Sequence, residues 1–460
     1  MKYSHPVRWI ACLCLGGFAA FPYLLSANEG ESDRLEQQQR MIDRLSSMVE
    51  AQQAEIALLR NEVMLMRHER AASGVEQSPE VPGKMSALRP AGSSAGSAAV
   101  QPAPKPALPL KFYGTIKLDA AYDDSASSAG NLTYYVLPET PNRGDEFIMT
   151  ANQTQLGVDV GGKDTAPFNL MAKAEVDFYG SNAPQDRAKI RMRKAYVKWD
   201  MEGWNFLAGQ ENDIFLNATP TSVDFHYYMQ KGKIGYRRPQ FRVSRKFESG
   251  LGVWEPVVGF TRTIGEDVDG DGRDDGATAG FPTLQWSLPV SGKWFGEKAS
   301  KVAFSGHWGR EAIESPVVGR SGELPTWSMI GTWVIPFADA WSFQGSVWYG
   351  SNLDAYHGGI GQGVNPMTGR SIDAQGGWAQ LVWVPVSEVT LSVGAGVDDA
   401  DDADLNPGMR SRNEMLGANI YYRLGGGLSV ALEYTWIKTS YLERPSADNN
   451  RLQSAVIYTF

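Results

Sequence analysis

The chain has 460 residues, with 43 basic and 52 acidic side chains and a formal net charge of −9. This excess of acid argues against a nucleic-acid partner, because binding to a phosphate backbone requires clustered cations. The 49 glycines, 14 tryptophans and 18 tyrosines favour short strands, turns and interfacial aromatic side chains.

The first 27 residues have the pattern of a secretory leader. Lys2 and Arg8 precede the apolar stretch WIACLCLGGFAAF, and the small-residue site LLSA follows. We expect a signal peptide, residues 1–27, cut after Ala27, with Ala20 as a competing position. A retained anchor helix is the alternative, but the apolar run is short and a strongly polar sequence follows it.

The cysteines and the hydropathy restrict the mature chain further. Both cysteines, Cys12 and Cys14, lie in the leader, so cleavage leaves neither disulfides nor thiolate chemistry. No apolar run of about 18 residues follows the leader, so entry into a membrane would require strands.

Residues 28–72 contain a heptad pattern. β-branched residues dominate the a positions, and two polar residues occupy d positions, a combination that permits a trimer at least as readily as a dimer. The a positions are Leu35, Ile42, Val49, Ile56 and Val63, and the d positions are Gln38, Leu45, Gln52, Leu59 and Met66. We expect a periplasmic coiled coil, with a lone amphipathic helix on a globular surface as the alternative. Residues 73–109 are rich in Ala, Ser, Gly and Pro and predict an extended linker.

From Leu110 onward, apolar and polar residues alternate. In KFYGTIKLDAAY, the apolar row is Phe112, Ile116, Leu118 and Tyr122, and polar residues occupy the other face. The segment LGANIYYRLGGGLSVALEYTWI repeats the pattern as a hairpin around Gly425 to Gly427. Charges on the second face of such hairpins indicate a wet interior.

These features predict an all-β transmembrane barrel over residues 110–460. With about 10 residues per strand, we expect roughly 16 antiparallel strands, and such a barrel encloses an aqueous channel. The last strand, RLQSAVIYTF, ends in Phe460 and would be an exposed edge unless it paired. We expect it to close against the first strand and to carry the signal that the barrel assembly machinery reads.

Two basic strands are candidates for the pore lining. In RAKIRMRKAYVKW, one face carries Arg187, Lys189, Arg191 and Arg193. Lys194 and Lys198 fall on the opposite row, which indicates a bulge, a periplasmic rim or snorkelling side chains. In YRRPQFRVSRKF, Arg238 and Arg242 share a face.

Guanidinium groups in a narrow pore attract anions and bind carboxylates bidentately. The alternative is that these cations only neutralise wall carboxylates such as Glu175 and Asp177, and both statements can hold together.

Residues 207–233 connect the two basic strands and are too long for a tight turn. Such a loop can fold inward and narrow the pore. Glu211, Asp213 and Asp224 would then face the arginines and create a transverse field. An extracellular loop over the mouth of the barrel is the alternative.

The acidic segment DVDGDGRDDG matches the first half of a calcium loop. Asp267, Asp269, Asp271 and Asp275 have oxygen-ligand spacing, but Thr278 stands where an EF-hand has its terminal Glu. We expect either a calcium ion in an extracellular loop or a solvated acidic loop, and no other cofactor.

The order of leader, coiled coil, linker and barrel resembles the DcaP-type trimeric outer-membrane porins of Gram-negative bacteria. The matching pieces are LKFYGTIKLDAAYD, AEVDFYG, RMRKAYV followed by LAGQ, YRRPQFRV and GGWAQLVWVP. The resemblance implies a homotrimer with periplasmic helices and uptake of small dicarboxylic or aromatic carboxylic acids. It also implies that the pore cations include Arg191, Arg193, Arg238 and Arg242.

Three functional hypotheses follow. The first is a passive channel for small anions, and the second is a barrel that anchors a trimeric coiled coil to space or tether the envelope. The third is an outer-membrane hydrolase, which we disfavour because His68, His226, His307 and His357 lie in no nucleophile motif or metal pair.

Overall fold

The computed structural model of the chain describes residues 109–128, 132–140, 144–162, 169–180, 188–226, 228–268, 272–315 and 320–460. The predicted signal peptide, the coiled coil and the linker up to residue 108 lie outside these ranges. Within them, no helix is long and apolar enough to cross a membrane.

The described residues form a closed antiparallel barrel. Nineteen strand segments make one sheet, and three barrel strands consist of two segments each, so the barrel has 16 strands. The strands are β1 (Leu110–Asp123), β2 (Glu146–Thr150 and Gln155–Gly162), β3 (Asn169–Asp177), β4 (Arg191–Met201), β5 (Trp204–Asn212), β6 (Arg237–Arg245 and Phe247–Ser249), β7 (Gly252–Trp254 and Val257–Thr261), β8 (Thr283–Gly292), β9 (Ser300–Ser315), β10 (Arg320–Pro336), β11 (Trp341–Ser351), β12 (Asp373–Val386), β13 (Val389–Ala400), β14 (Arg410–Gly425), β15 (Leu428–Tyr441) and β16 (Arg444–Thr459). The predicted fold and strand number are confirmed for the barrel.

The last strand closes the barrel against the first. β1 pairs with β16 from Thr115 opposite Thr459 to Asp123 opposite Arg451. Phe460 continues the pairing, because its N–H donates to the carbonyl oxygen of Gly114 at 3.1 Å and its own carbonyl accepts from the Gly114 N–H at 3.1 Å. The edge that an open sheet would expose is therefore paired.

The two ends of the barrel differ in their connections. One end has tight turns, including residues 202–203, 250–251, 387–388 and 426–427. We call it the short-turn end, and it also holds the start of β1 and Phe460. The other end carries long connections, of which the largest are residues 124–145, 213–236, 262–282 and 352–372, and we call it the long-loop end.

Burial is inverted relative to a water-soluble protein. On β16, Leu452 and Val456 are about half exposed, whereas Arg451 and Gln453 on the other face are nearly fully buried. The same holds on β1, where Phe112 is 72% exposed while Lys117 is 4% exposed. Each strand thus presents an apolar face outward and a polar face to the lumen, as predicted.

One hairpin is taller than the rest of the wall. β9 and β10 pair from Lys301 opposite Val334 to Ser315 opposite Arg320. The ladder with β8 stops at Trp308, and the ladder with β11 stops at Trp327. This hairpin therefore continues beyond its neighbours at the long-loop end, and we call its described residues 309–315 and 320–326 the tall hairpin. The short helix α1 (Asp275–Thr278) contacts it there, because the Thr278 hydroxyl donates to the Ala312 carbonyl at 3.0 Å.

Candidate functional site

The connection between β5 and β6, residues 213–236, lies inside the barrel, and we call it the inward loop. Its apolar side chains Phe215, Val223 and Tyr228 are at most 3% exposed. They pack against lumen-facing residues of distant strands, such as Trp348 of β11 and Trp378 of β12. The loop therefore crosses the lumen and divides it.

A carboxylate on the far wall holds the middle of the inward loop. Glu433 of β15 accepts hydrogen bonds from the Ser222 hydroxyl at 3.0 Å, the Val223 N–H at 2.8 Å and the Asp224 N–H at 3.1 Å. From β1, the Lys117 ammonium donates to the Val223 carbonyl at 2.6 Å. Backbone groups that no secondary structure satisfies are thus bonded to buried charges, which fixes the position of the loop.

Glycines let the loop contact the wall. Gly232 has a φ of +111° and its carbonyl accepts a hydrogen bond from the Trp348 indole at 2.7 Å. A Cβ at Gly232 would overlap the Gly377 carbonyl, and a Cβ at Gly396 would overlap the Lys231 carbonyl. The left-handed conformation and the close approach both require glycine at position 232.

The basic strand β4 contains a bulge. Its ladder with β3 passes from Glu175 opposite Lys194 to Val176 opposite Met192, so Arg193 is the extra residue. Up to the bulge, Arg191 and Arg193 lie on the lumen side. After the bulge, Lys194 and Lys198 also face the lumen, where they line a cavity. The bulge reverses the alternation, and it is the explanation of the lysine positions that the structure supports.

Carboxylates on β3 pair with both arginines. Arg191 forms an ion pair with Asp177 at 2.8 Å, and Arg193 contacts Glu175 at 2.8 Å and Asp177 at 2.9 Å. Both guanidinium groups also lie about 5.5–5.7 Å from the centre of the Phe225 ring. Glu175 and Asp177 therefore neutralise this part of the wall. Lys189 is exposed and precedes β4, and Arg187 lies outside the described residues.

The three acids predicted for the loop are paired as well, but Glu211 lies at the end of β5 and not in the inward loop. Glu211 contacts Lys194 at 2.9 Å, and Asp213 contacts Arg238 at 2.6 Å. Asp224 lies near the opposite wall, 3.5 Å from Lys231. These carboxylates make direct contacts with cations inside the barrel.

Arg238 and Arg242 differ although they share a strand face. Arg238 is fully buried, with its guanidinium 3.9 Å from the centre of the Tyr356 ring and donating to the Ala355 carbonyl at 3.1 Å. It joins β6 to residues 352–372. Arg242 lines a cavity of about 420 Å³ together with Lys194, Lys198, Glu211, Asp213 and Glu255. This mixed cavity contains equal numbers of cations and carboxylates.

A second cavity of about 240 Å³ is lined by cations and aromatic rings, and we call it the anion cavity. Its charged lining residues are Arg193, Lys233 and Arg237, and its rings are those of Phe225 and Tyr236. None of the described residues that line it is a carboxylate. It shares Asn212 and Leu216 with the mixed cavity, so the two spaces lie on either side of the start of the inward loop.

Two cations of the anion cavity have no acidic partner among the described residues. The Arg237 guanidinium donates to the Tyr236 hydroxyl at 3.0 Å, and Arg237 is 9% exposed. Lys233 is 3% exposed, and burial together with Arg237 lowers its pKa to about 7. The Tyr236 hydroxyl also accepts from Arg191 at 2.9 Å, which orients it between the arginines. The cavity thus has an uncompensated positive charge next to apolar rings.

Three loops meet beside this cavity in a stack of rings. Tyr134 of residues 124–145 stacks on His226 of the inward loop, with ring centres 3.8 Å apart. On its other side, Tyr134 lies 5.4 Å from His357 of residues 352–372, which contacts Tyr236 edge-on at 4.9 Å. Burial lowers the pKa of His226 well below its usual value and that of His357 to about 3, so both rings are neutral at physiological pH.

The acidic segment lies in the connection between β7 and β8. Asp267 accepts from the Gly272 N–H at 3.0 Å, and Asp275 accepts from the Val268 N–H at 3.0 Å. Asp275 is 1% exposed, and Asp269 and Asp271 lie outside the described residues. In the ranges that the structure covers, no group of three or more metal-ligating side chains is arranged to hold a metal ion. The calcium loop stays a prediction.

Comparison with known proteins gives the same architecture. The DcaP outer membrane protein family matches residues 91–248 of this chain. The resemblance to the DcaP family is confirmed. The structure of the outer membrane channel DcaP of Acinetobacter baumannii superposes with a TM-score of 0.62 and 18% identity, covering 77% of this chain and 98% of that one.

Two further barrels are similar to the DcaP-like fold of this chain. They are the anion-selective porin from Comamonas acidovorans, with a TM-score of 0.50 and 9% identity over 77% of this chain and 100% of that one, and OprB of Pseudomonas putida, with a TM-score of 0.51 and 9% identity over 76% and 94%. No curated protein matches the sequence. At these identities the structures show the fold alone.

Sequence reasoning missed Lys233, and on the second basic strand it singled out Arg238 and Arg242 and not Arg237. Lys233 follows Lys231 in QKGK, where two lysines flank a glycine and the nearest acid in sequence is Asp224. That local excess of charge was the available signal. Lys233 matters because the inward loop places it next to β6. The alternation of residues along a strand does not predict where a loop will place a side chain.

Proposed function

We propose that the protein is a passive outer-membrane diffusion channel for small anions. The observation that carries the proposal is the anion cavity, where Arg237 and Lys233 lie without a described carboxylate while Arg193 is already paired. A cation without a partner in a partly dehydrated space attracts anions more strongly than one that is neutralised. One of the porins with this fold is anion-selective.

Small carboxylic acids are the proposed solutes. A carboxylate matches the planar donor geometry of Arg237, and the rings of Phe225 and Tyr236 offer an apolar surface to a hydrocarbon or aromatic body. The family resemblance supports dicarboxylic and aromatic carboxylic acids as the preferred class. The neutral ion pairs elsewhere in the lumen would contribute little net selectivity.

Reversal potentials in planar bilayers test this proposal. The purified full-length protein, placed between unequal KCl concentrations, should show anion preference, and replacing chloride with a dicarboxylate salt should retain measurable current. Cation preference, or no conductance in repeated reconstitutions, would exclude the proposal. A serine-hydrolase probe offers a separate check, because specific labelling would revive the enzyme hypothesis.

The assembly is proposed from the sequence pattern and the family resemblance. We infer a homotrimer whose long-loop end faces the outside and whose predicted coiled coil, residues 28–72, lies in the periplasm. Assembly by the barrel machinery through β16 and calcium binding near Asp267 and Asp275 belong to the same proposal. Deleting residues 28–109 separates the two roles, since unchanged solute flux would leave the helix to a structural task such as spacing the envelope.

A further inference from the structure

Lys233 occupies an unusual position for a lysine. It lies on the inward loop rather than on a membrane-spanning strand, and its side chain lines the anion cavity although the residue is only 3% exposed. Its backbone N–H donates to the Tyr228 carbonyl at 3.0 Å, and the neighbouring Gly232 is held by Trp348. These bonds hold the backbone of Lys233 at a place from which its side chain lines the anion cavity.

The electrostatic surroundings oppose a positive charge on Lys233. Among the described residues, four charged or titratable groups besides the Tyr236 hydroxyl face it from the packed elements: Arg193 of β4, Arg237 of β6, Asp213 at the start of the inward loop and His357 of residues 352–372. Asp213 is the only acid of the four, and it is occupied by Arg238 at 2.6 Å. Since His357 is neutral, the charged neighbours of Lys233 are two arginines and one carboxylate, and that carboxylate is already paired.

Resting on the proposed channel function, we propose that Lys233 determines the charge specificity of the anion cavity by exchanging a proton with lumen water. The amine is neutral when the cavity is empty at alkaline pH, and it takes up one proton, with no other bond changed, when an anion enters. An entering anion supplies the negative partner that the described protein groups do not provide, which favours the ammonium form.

Anion preference should therefore depend on pH near neutrality. With a pKa of about 7, Lys233 is about nine-tenths charged at pH 6 and about one-thirtieth charged at pH 8.5. Arg237 keeps its charge throughout, so the cavity alternates between one and two uncompensated cations. Monoanions would be accepted in both states, and dianions would benefit most from the second charge.

The experiment measures reversal potentials of the purified full-length channel in a KCl gradient at pH 6 and at pH 8.5. Chloride is the probe because it does not titrate in this range. The anion-to-cation permeability ratio of the parent should fall about two- to threefold between the two values. Lys233→Arg should hold the higher ratio at both pH values, and Lys233→Met should hold the lower one.

Two controls separate Lys233 from other titrating groups and from nonspecific damage. His357→Asn removes the neighbouring imidazole, and asparagine tolerates the left-handed φ of 61° at that position, so the backbone should keep its conformation. If Lys233 is the titrating group, the pH dependence should persist in this variant. Lys293→Met removes an exposed lysine of the short-turn end and should change neither the ratio nor its pH dependence.

Each outcome decides. A parent ratio that is anion-selective but equal at pH 6 and pH 8.5 overturns the role of Lys233 and leaves the channel proposal intact, as does a Lys233→Met channel that keeps the full pH dependence. Cation selectivity at both pH values overturns the proposed function itself. The pH comparison on the parent needs no variant, so a misfolded Lys233→Met protein would not rescue the inference.

Discussion

Arg193 and Arg237 line the same cavity with different electrostatic surroundings. Arg193 is shared by Glu175 and Asp177, whereas Arg237 donates to the hydroxyl of Tyr236 and has no carboxylate partner in the part of the chain that the structure describes. Selectivity depends on net charge near the solute path, so the number of arginines in the lumen is a poor guide to it. Removal of an unpaired cation should lower anion preference directly, whereas removal of a paired cation should act through the carboxylate that it leaves behind.

Arg237→Gln should lower anion preference. The change removes one uncompensated charge and keeps a polar side chain of similar length, so the anion-to-cation permeability ratio should fall about threefold. Reversal potentials in a KCl gradient at pH 6 measure it. Arg423→Gln, at an exposed position of the short-turn end, is the matched control. An unchanged ratio in Arg237→Gln would remove this arginine from selectivity.

Arg193→Gln should shift selectivity through the carboxylate that it leaves behind. Without Arg193, Glu175 loses its partner at 2.8 Å and adds negative charge to the wall. We expect a fall in anion preference of about twofold, which the double change Arg193→Gln with Glu175→Gln restores. A double-mutant cycle of permeability ratios checks this. Equal permeability ratios in the Arg193→Gln variant and in the double variant would contradict the pairing.

For single residues, the sequence predicts which face of a strand a side chain lies on better than it predicts which residues that side chain contacts. Alternation places Arg191 and Arg193 in the lumen, and it also places Arg238 and Arg242 on one face of β6. It does not tell that Arg238 is covered by residues 352–372, because a loop more than 100 residues away supplies the cover. The pairing of the arginines with β3 could be suspected but not fixed, since a single bulge changes the register.

Among the elements, the inward loop crosses the lumen, and Glu433 attaches its middle to the far wall. Four groups donate to this carboxylate: the Ser222 hydroxyl, the Val223 and Asp224 N–H groups and the Asn419 amide. A carboxylate that accepts this many bonds has no equal substitute among neutral side chains. The sequence indicates a long loop here, but not the residue that holds it.

Glu433→Gln should loosen the inward loop. The amide nitrogen cannot accept, so at least one buried N–H loses its partner at a cost of about 1–3 kcal/mol. We expect larger single-channel current fluctuations and an unchanged barrel, measured by bilayer recording and circular dichroism. Glu248→Gln, exposed next to a tight turn, serves as the control. Quiet currents identical to the parent would show that Glu433 is dispensable for anchoring.

At the scale of the whole molecule, the pattern of residues was sufficient to predict the barrel, whereas the signal peptide, the coiled coil and the linker up to residue 108 lie outside the described residues and stay predictions. Outward apolar rows, polar lumen rows and an aromatic terminal residue all follow from the barrel surrounded by lipid, and each is local in sequence. The interior of the barrel was less accessible to prediction. Three loops from different parts of the chain meet at Tyr134, His226 and His357, and no periodicity links those residues.

Barrel closure can be tested with a pair of cysteines. Thr115 and Thr459 lie opposite each other on β1 and β16, with their hydroxyl oxygens 3.4 Å apart. Thr115→Cys with Thr459→Cys should form a disulfide on oxidation, because directly opposed residues meet the distance requirement. Thr115→Cys with Ile457→Cys, two residues out of register, should not. Non-reducing gels and thiol titration measure it, and free thiols in the first pair would contradict the closure register.

The tall hairpin gives the mouth of the barrel an uneven rim. Seven residues of β9, from Gly309 to Ser315, rise past the neighbouring ladders, a height of roughly 20 Å for an extended chain. A large solute that approaches from that side would contact the tall hairpin before it reached the lumen. A small ion could enter over the shorter strands of the rim. Access for large solutes would therefore depend on the side from which they approach the barrel.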